Sequence, residues 1–154
     1  MPAELSFDLA AAHKYFAAHC FNAAWDLTDK SSRTPEEERL MVALNQASLY
    51  HWQSRSDCTN QNLSVGYWQA SRIQALLGNA GEAARHADVC LSYSSGLEPF
   101  YVGYAYEALA RAASLGGDRQ KAGEYFSLAQ AQVQLVRNAE HRALLVKDLA
   151  GLKT

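Results

Sequence analysis

The chain of 154 residues has no excess of basic residues and no long apolar run. Its 14 Lys and Arg against 16 Asp and Glu give a formal net charge of −2, so the basic stripe typical of nucleic-acid-binding proteins is missing. No segment approaches the roughly 18 consecutive apolar residues of a membrane span. Glu4 and Asp8 stand where a secretion signal carries positive charge, so we expect no signal peptide. Neither nucleic acid nor a membrane is an expected partner.

Cysteine is scarce as well. Cys20, Cys58 and Cys90 are odd in number, widely spaced and without a C-x-x-C motif, which predicts free thiols in a reducing compartment and hence a cytoplasmic location. A domain of this length buries about two thirds of its unfolded surface and needs no disulfide or metal to fold. The sequence therefore gives no reason to expect a cofactor.

Proline and glycine are few and stand at boundaries between segments, which favours long helices. Thr34, Pro35 and Glu37 predict a capped helix start, Gly78 a helix end, and Asn79 with Glu82 a second capping pair. No segment has the pattern of a strand, so the predicted fold is all-α. Helices are expected near 5–29, 35–53, 63–77, 80–93 and 99–115, then one after Asp118 and one after Asn138. The apolar stripe predicted for the first consists of Leu9, Ala12, Phe16, Cys20, Ala23 and Leu27.

An internal repeat links the middle of the chain to its later part. Gly78 and Gly117 are 39 residues apart, and the same shift aligns Tyr67 with Tyr106. The later copy contains Tyr106-x2-Leu109-Ala110-x2-Ala113, a glycine turn, and Ala122-x3-Phe126-x2-Ala129. This pattern resembles the tetratricopeptide repeat, W-x2-L-G-x2-Y followed by A-x3-F and P. The spacing exceeds that family's roughly 34 residues, the closing proline is absent, and Gln74 and Ala113 replace its tyrosine.

The resemblance implies stacked antiparallel hairpins in an α-α superhelix. About three hairpins are expected, at 5–56 (the least regular), 63–94 and 98–137, with a capping helix at 138–152. The segments FNAAWDLTDK, RTPEEE, YHW and WQASR also resemble an uncharacterised bacterial family of such helical proteins, which implies the fold and no known activity.

The same resemblance implies that the first helix of each hairpin lines a concave groove. Trp68 and Arg72 would face it in one copy, Glu107 and Arg111 in the next, and Tyr104 and Ser114 would extend it. Arginine binds carboxylates and phosphates through two parallel hydrogen bonds. The groove is therefore expected to bind a protein or peptide partner without catalysis. The alternative is that Glu107 and Arg111 form an i,i+4 surface pair, with Arg72 completing a structural ion-pair network.

A second candidate surface follows the first helix and the end of the second. Its residues are His19, Asn22, Trp25, Asp26, Asp29 and His51. They could continue the groove, although a solvent-facing polar stripe and a structural histidine explain them equally simply.

Two other functions remain open at this stage. The protein could form a homo-oligomer such as a homodimer, with Trp25, Trp52 and Trp68 as interface anchors. It could also be a metal-dependent helical-bundle enzyme that uses His19, His51 and Asp26, although the sequence has no established metal-ligand spacing and no nucleophile motif.

Overall fold

The computed structural model describes residues 3–152, and every regular element in that range is an α-helix, which confirms the all-α prediction. The helices are α1 (Leu9–Thr28), α2 (Pro35–Gln53), α3 (Asn60–Leu76), α4 (Ala80–Ser94), α5 (Pro99–Leu115), α6 (Arg119–Leu135) and α7 (Ala139–Ala150). None of the helices in the described range is both long and apolar enough to cross a lipid bilayer.

Side-chain caps start every helix of the described range except α4 and α5, and two helix starts differ from the predicted ones. Thr34 Oγ1 accepts a hydrogen bond from the Glu37 N–H, and the Glu37 carboxylate accepts one from the Thr34 N–H, as predicted. Thr59 forms a second capping box, so α3 begins at Asn60 in a stretch that had been predicted as loop. Asp8 caps α1, which begins at Leu9 rather than Leu5.

The predicted cap at Asn79 is wrong. Its side-chain amide donates to Gln74 Oε1 at 2.9 Å, and no side-chain hydrogen bond caps α4. The glycine stops are confirmed: Gly78 and Gly117 have φ of 79° and 81°, a left-handed conformation that glycine adopts without strain. Two positions 39 residues apart thus end α3 and α5 in the same way.

The helices pack as consecutive antiparallel hairpins arranged in two layers. The hairpins are α1–α2, α3–α4 and α5–α6, and α7 packs against both α5 and α6. The backbones of the odd-numbered helices also approach one another closely, from α1 through α3 and α5 to α7, whereas within residues 3–152 the backbones of α2 and α4, and of α4 and α6, lie farther apart. Because the odd-numbered helices lie closer together, they form the inner, concave layer.

Small residues allow this close packing. Ala83, Ala87 and Ala110 are fully buried, and a Cβ atom added to Gly66 would lie only 2.6 Å from Leu49 Cδ2. At Gly103 of α5 an added Cβ would similarly come within 2.6 Å of Leu145 Cδ2 in α7. The first approach sets the distance between α2 and α3, and the second sets the distance between α5 and α7 in the inner layer.

The predicted apolar stripe of α1 is only partly correct. Leu9 and Phe16 are exposed, while Cys20 is buried together with Ala17 and Ala24. The helix therefore packs through its small residues, which allow α2 to approach closely, and leaves larger ones on its surface.

Candidate functional site

A cavity of about 410 Å³ opens on the concave side of the molecule. Each of the four inner helices contributes to its wall, and Asp29, directly after α1, lies at one edge. Six aromatic residues line it: Phe21, Trp25, Trp68, Phe100, Tyr101 and Tyr104. Its charged lining residues are Asp29, Arg72, Arg111 and Asp148.

The aromatic rings form a continuous row across three helices. The ring centroids of Trp25 in α1 and Trp68 in α3 are 5.4 Å apart, and those of Trp68 and Tyr104 in α5 are 5.3 Å apart at a steep angle of 78°. Phe100 meets Tyr104 edge-on at 5.0 Å. Because such tilted and edge-to-face contacts are favourable, each ring helps to hold its neighbour in place.

A buried carboxylate lies behind this row. Glu107 is 0% exposed; its Oε2 accepts a hydrogen bond of 2.9 Å from Trp68 Nε1. Its Oε1 accepts from Arg111 Nε at 3.1 Å and also from Arg111 Nη2. A buried carboxylate requires such partners to offset its desolvation. Glu107 was predicted to face the groove; it instead supports two residues that do, Trp68 and Arg111.

Arg72 is in a different situation. It is half-buried and lines the cavity, yet within residues 3–152 its guanidinium forms no hydrogen bond and no salt bridge. Burial lowers its pKa, as does the positive charge of Arg111, while the charges of Glu107 and Asp148 act in the opposite direction. The structural ion-pair interpretation therefore describes Arg111, which contacts Glu107, and does not describe Arg72.

The far wall belongs to α7, which the sequence had suggested only as a cap. Tyr104 Oη donates a hydrogen bond of 2.6 Å to Asp148 Oδ2, and Leu144 completes the wall one turn earlier. Burial raises the pKa of the Tyr104 hydroxyl, and the bond to Asp148 raises it further. Neither Leu144 nor Asp148 was predicted. The order of the helices could have indicated them: α7 follows α6 as α5 follows α4, so α7 is expected to continue the inner layer.

Only some residues of the second candidate surface lie at the cavity. Trp25 and Asp29 line the cavity, and together with Asn22 and Asp26 they border an adjoining open hollow of about 450 Å³. His19 and His51 do not line the cavity. His19 stacks on Tyr15 with centroids 5.2 Å apart. His51 Nδ1 lies 2.9 Å from His13 Nδ1. Ser114, one turn beyond Arg111, is half-buried and lies outside the lining.

The three residues of the alternative metal site, His19, His51 and Asp26, do not form a metal-binding group. His19 and His51 both lie beside Phe16, at centroid distances of 6.4 and 5.4 Å. Within the described part of the chain, however, no three His, Cys, Asp or Glu side chains come together as metal ligands.

Comparisons with protein-family models, with curated proteins and with solved structures give no match. The chemistry that the cavity can perform is therefore judged from its lining. It offers apolar contact with rigid rings and charge-assisted hydrogen bonds from two guanidinium groups. No histidine or cysteine is among its lining residues.

Proposed function

We propose that this protein is a non-catalytic binding module that holds a segment of a protein partner in the concave cavity. The observation that carries the proposal is the convergence of four helices and six aromatic side chains on a space that residues 3–152 leave open. Its volume, about 410 Å³, lies in the range of about 300–1,000 Å³ that is common for ligand pockets. That space accommodates one or two side chains of a partner.

The kind of lining favours a peptide segment over a small metabolite. Trp, Tyr and Arg are the residues that contribute most at protein interfaces, and Trp25, Trp68, Tyr104 and Arg72 supply all three. The adjoining hollow beside Asp26 would give an extended segment room to continue. Stacked helical repeats use such concave surfaces to bind partners.

The resemblance to tetratricopeptide repeats supports the same proposal. Tyr67 packs on His86 with centroids 6.1 Å apart, and Tyr106, at the equivalent position, packs on Tyr125 at 6.5 Å. Both partners are related by the same shift of 39 residues. We also infer a cytoplasmic location, since Cys20, Cys58 and Cys90 are all free thiols.

A displayed random peptide library tests the proposal with one pocket-filling variant and one matched control. Leu144 lines the cavity but is 51% exposed, so Leu144→Trp would fill the space without disturbing the core. Leu128, 44% exposed on the outer helix α6, is the site of the control Leu128→Trp. Peptides selected on the unmodified protein should bind Leu128→Trp normally and Leu144→Trp about tenfold more weakly or worse. Equal binding to both variants, or no enriched peptide, would contradict the proposal.

Self-association remains a second candidate because several large apolar side chains are exposed around the first half of α1 and the end of α2. They are Phe7, Leu9, Tyr15, Phe16 and Tyr50. The tryptophans suggested as interface anchors are engaged elsewhere. Trp25 and Trp68 line the cavity, and the Arg55 guanidinium lies 4.0 Å above the Trp52 ring. A sedimentation mass that rises with protein concentration above the monomer's 16.9 kDa would favour this candidate, provided that the Phe16→Glu variant stays at the monomer mass.

A further inference from the structure

The charged groups around the cavity differ in whether they have a hydrogen-bond or salt-bridge partner within the described part of the protein. Arg111 and Glu107 bond to each other, and the other oxygen of Glu107 is bonded to Trp68. Asp148 accepts the short hydrogen bond from Tyr104. Asp29 is exposed to solvent at the edge.

Arg72 alone among these cavity residues is both half-buried and without a hydrogen bond or salt bridge inside the described range. No aromatic ring compensates for this, since the cation–π contact found in the described part of the chain joins Arg55 and Trp52. A guanidinium stays charged in proteins, so its partial desolvation is a cost that an incoming anion would offset. Its planar fork of donors matches a carboxylate.

The neighbours of Arg72 indicate what else such a ligand must carry. Trp68 precedes Arg72 by four residues on α3, about 6 Å along the helix axis, and so lies on the same face. Trp68 is held by Glu107 and by the rings of Trp25 and Tyr104. The Trp68 ring therefore offers a fixed apolar surface close enough to the Arg72 guanidinium for a ligand to contact both through neighbouring groups.

We propose that Arg72 binds a carboxylate of the partner segment while a large apolar side chain adjacent to that carboxylate packs against Trp68, Trp25 and Tyr104. The inference rests on the proposed function and specifies its ligand. The carboxylate comes from the end of a chain or from an Asp or Glu side chain. A phosphate dianion fits less well, because Arg111 is already paired with Glu107, and Asp29 and Asp148 also line the space.

The indole N–H signals of the ¹⁵N-labelled full chain provide the test. Trp25 and Trp68 line the cavity and Trp52 does not, so Trp52 serves as an internal control. The probes are N-acetyl-Gly-Phe as the free acid, its C-terminal amide, N-acetyl-Glu-Phe-amide and phenyl phosphate. We expect the free acid or the glutamyl peptide to shift the Trp25 and Trp68 signals, with affinity about ten- to a hundredfold above that of the neutral amide. Which of these two acids binds identifies the source of the carboxylate.

Variants of Arg72 complete the experiment. Because Arg72 bonds to no described residue, Arg72→Gln should fold normally, and it should abolish the preference for the acid; Arg72→Lys should keep part of it. Arg85→Gln, on the exposed side of α4, should change nothing. Four results would overturn the inference: equal affinity for acids and amide, a preference that survives Arg72→Gln, tighter binding of phenyl phosphate, or no shift with any probe. If library peptides sensitive to Leu144→Trp exist while any of these holds, only the carboxylate assignment fails. If no such peptides exist, the proposed function fails too.

Discussion

Trp68 and Glu107 occupy equivalent positions 39 residues apart, and the indole N–H of one donates a hydrogen bond of 2.9 Å to the carboxylate of the other. The bond joins α3 to α5 within the inner layer. It connects the Trp68 ring, which lines the cavity, to the fully buried carboxylate of Glu107, which Arg111 also contacts. The orientation of the aromatic wall therefore depends on an ion pair behind it.

Glu107→Gln should destabilise the protein by about 2–4 kcal/mol. The amide oxygen can still accept from Trp68, but Arg111 loses its counter-charge, and the new amide N–H₂ lies in a buried space built for an acceptor. Arg111 is itself 20% exposed, which keeps the cost toward the lower end. Urea unfolding followed by circular dichroism measures the change.

The double variant Glu107→Gln/Arg111→Met should recover much of that loss, because the amide oxygen still accepts from Trp68 and no charge is left unpaired. Glu124→Gln, an exposed change on α6, should stay within about 0.5 kcal/mol of the unmodified protein. A double variant no more stable than Glu107→Gln would mean that the unpaired guanidinium of Arg111 is not what destabilises the single variant.

The two cavity arginines should respond oppositely to the same substitution. Arg72→Met removes a partly desolvated charge that has no bonded partner in the described range, so stability should be unchanged or rise by up to about 1–2 kcal/mol. Arg111→Met strands the Glu107 carboxylate and should cost about 3 kcal/mol or more. Thermal unfolding of both variants in one buffer compares them directly. Equal destabilisation would show that Arg72 is a structural residue, contrary to the role proposed for it.

Several features of the fold could be predicted because local chemistry decides them. Thr34, Pro35 and Glu37 specify a helix start, and Gly78 and Gly117 specify helix ends, whatever the rest of the chain does. The shift that relates the two glycines also relates Arg72 to Arg111, and both of these residues line the cavity beside Trp68.

Other features depend on packing between distant helices and could not be predicted. The i,i+4 spacing of Glu107 and Arg111 indicates their pairing, but Glu107 is buried because Trp68 of α3 also closes over it, a contact between distant helices. Asp148 joins the site only because α7 packs on α5 and brings its carboxylate to Tyr104. In α1 the predicted stripe includes Leu9 and Phe16, which are exposed, whereas Ala17 and Ala24 are buried because α2 approaches closely.

Stability should fall in mildly acidic solution because two histidines are held in their neutral form. Burial lowers the pKa of His51, and the charge of His13 lowers it further; burial also lowers the pKa of His86, helped by Arg85 and opposed by Glu82. The unfolded chain therefore takes up protons near its ordinary histidine pKa of about 6.5, while the folded chain resists them. The stabilising contribution of the two histidines is fully present above that pH and is lost as the pH falls below it, through their lowered folded pKa values.

Urea unfolding across this range tests the histidine assignment. The carboxyls with lowered pKa, namely Glu37, Glu82 and Asp57, stabilise the folded chain throughout this range, because their contribution is lost only when the pH falls below their ordinary values of about 4. His51→Gln and His86→Gln should each flatten the decline, whereas His19→Gln, at an exposed site, should leave it unchanged. A decline that persists in the double variant His51→Gln/His86→Gln would assign it to other groups.

The three cysteines should differ sharply in their reactivity toward a disulfide reagent such as Ellman's. Cys90 is 0% exposed, and burial raises the pKa of its thiol to about 11, so almost no thiolate is present near neutral pH. Burial also raises the thiol pKa of Cys20 and of Cys58, but Cys20 is only 7% exposed, whereas Cys58 is half-buried at the turn before α3 and is more accessible to the reagent. At about pH 8 the folded protein should thus show one faster thiol, removed by Cys58→Ser, and two that react only after unfolding in guanidinium. The folded pKa of Cys90 lies above the unfolded value of about 8.5, so its contribution to stability is complete below that value and is lost as the pH rises toward 11. Fast reaction of two thiols in the folded state would mean that the α3–α4 or the α1–α2 hairpin opens far more readily than its packing indicates.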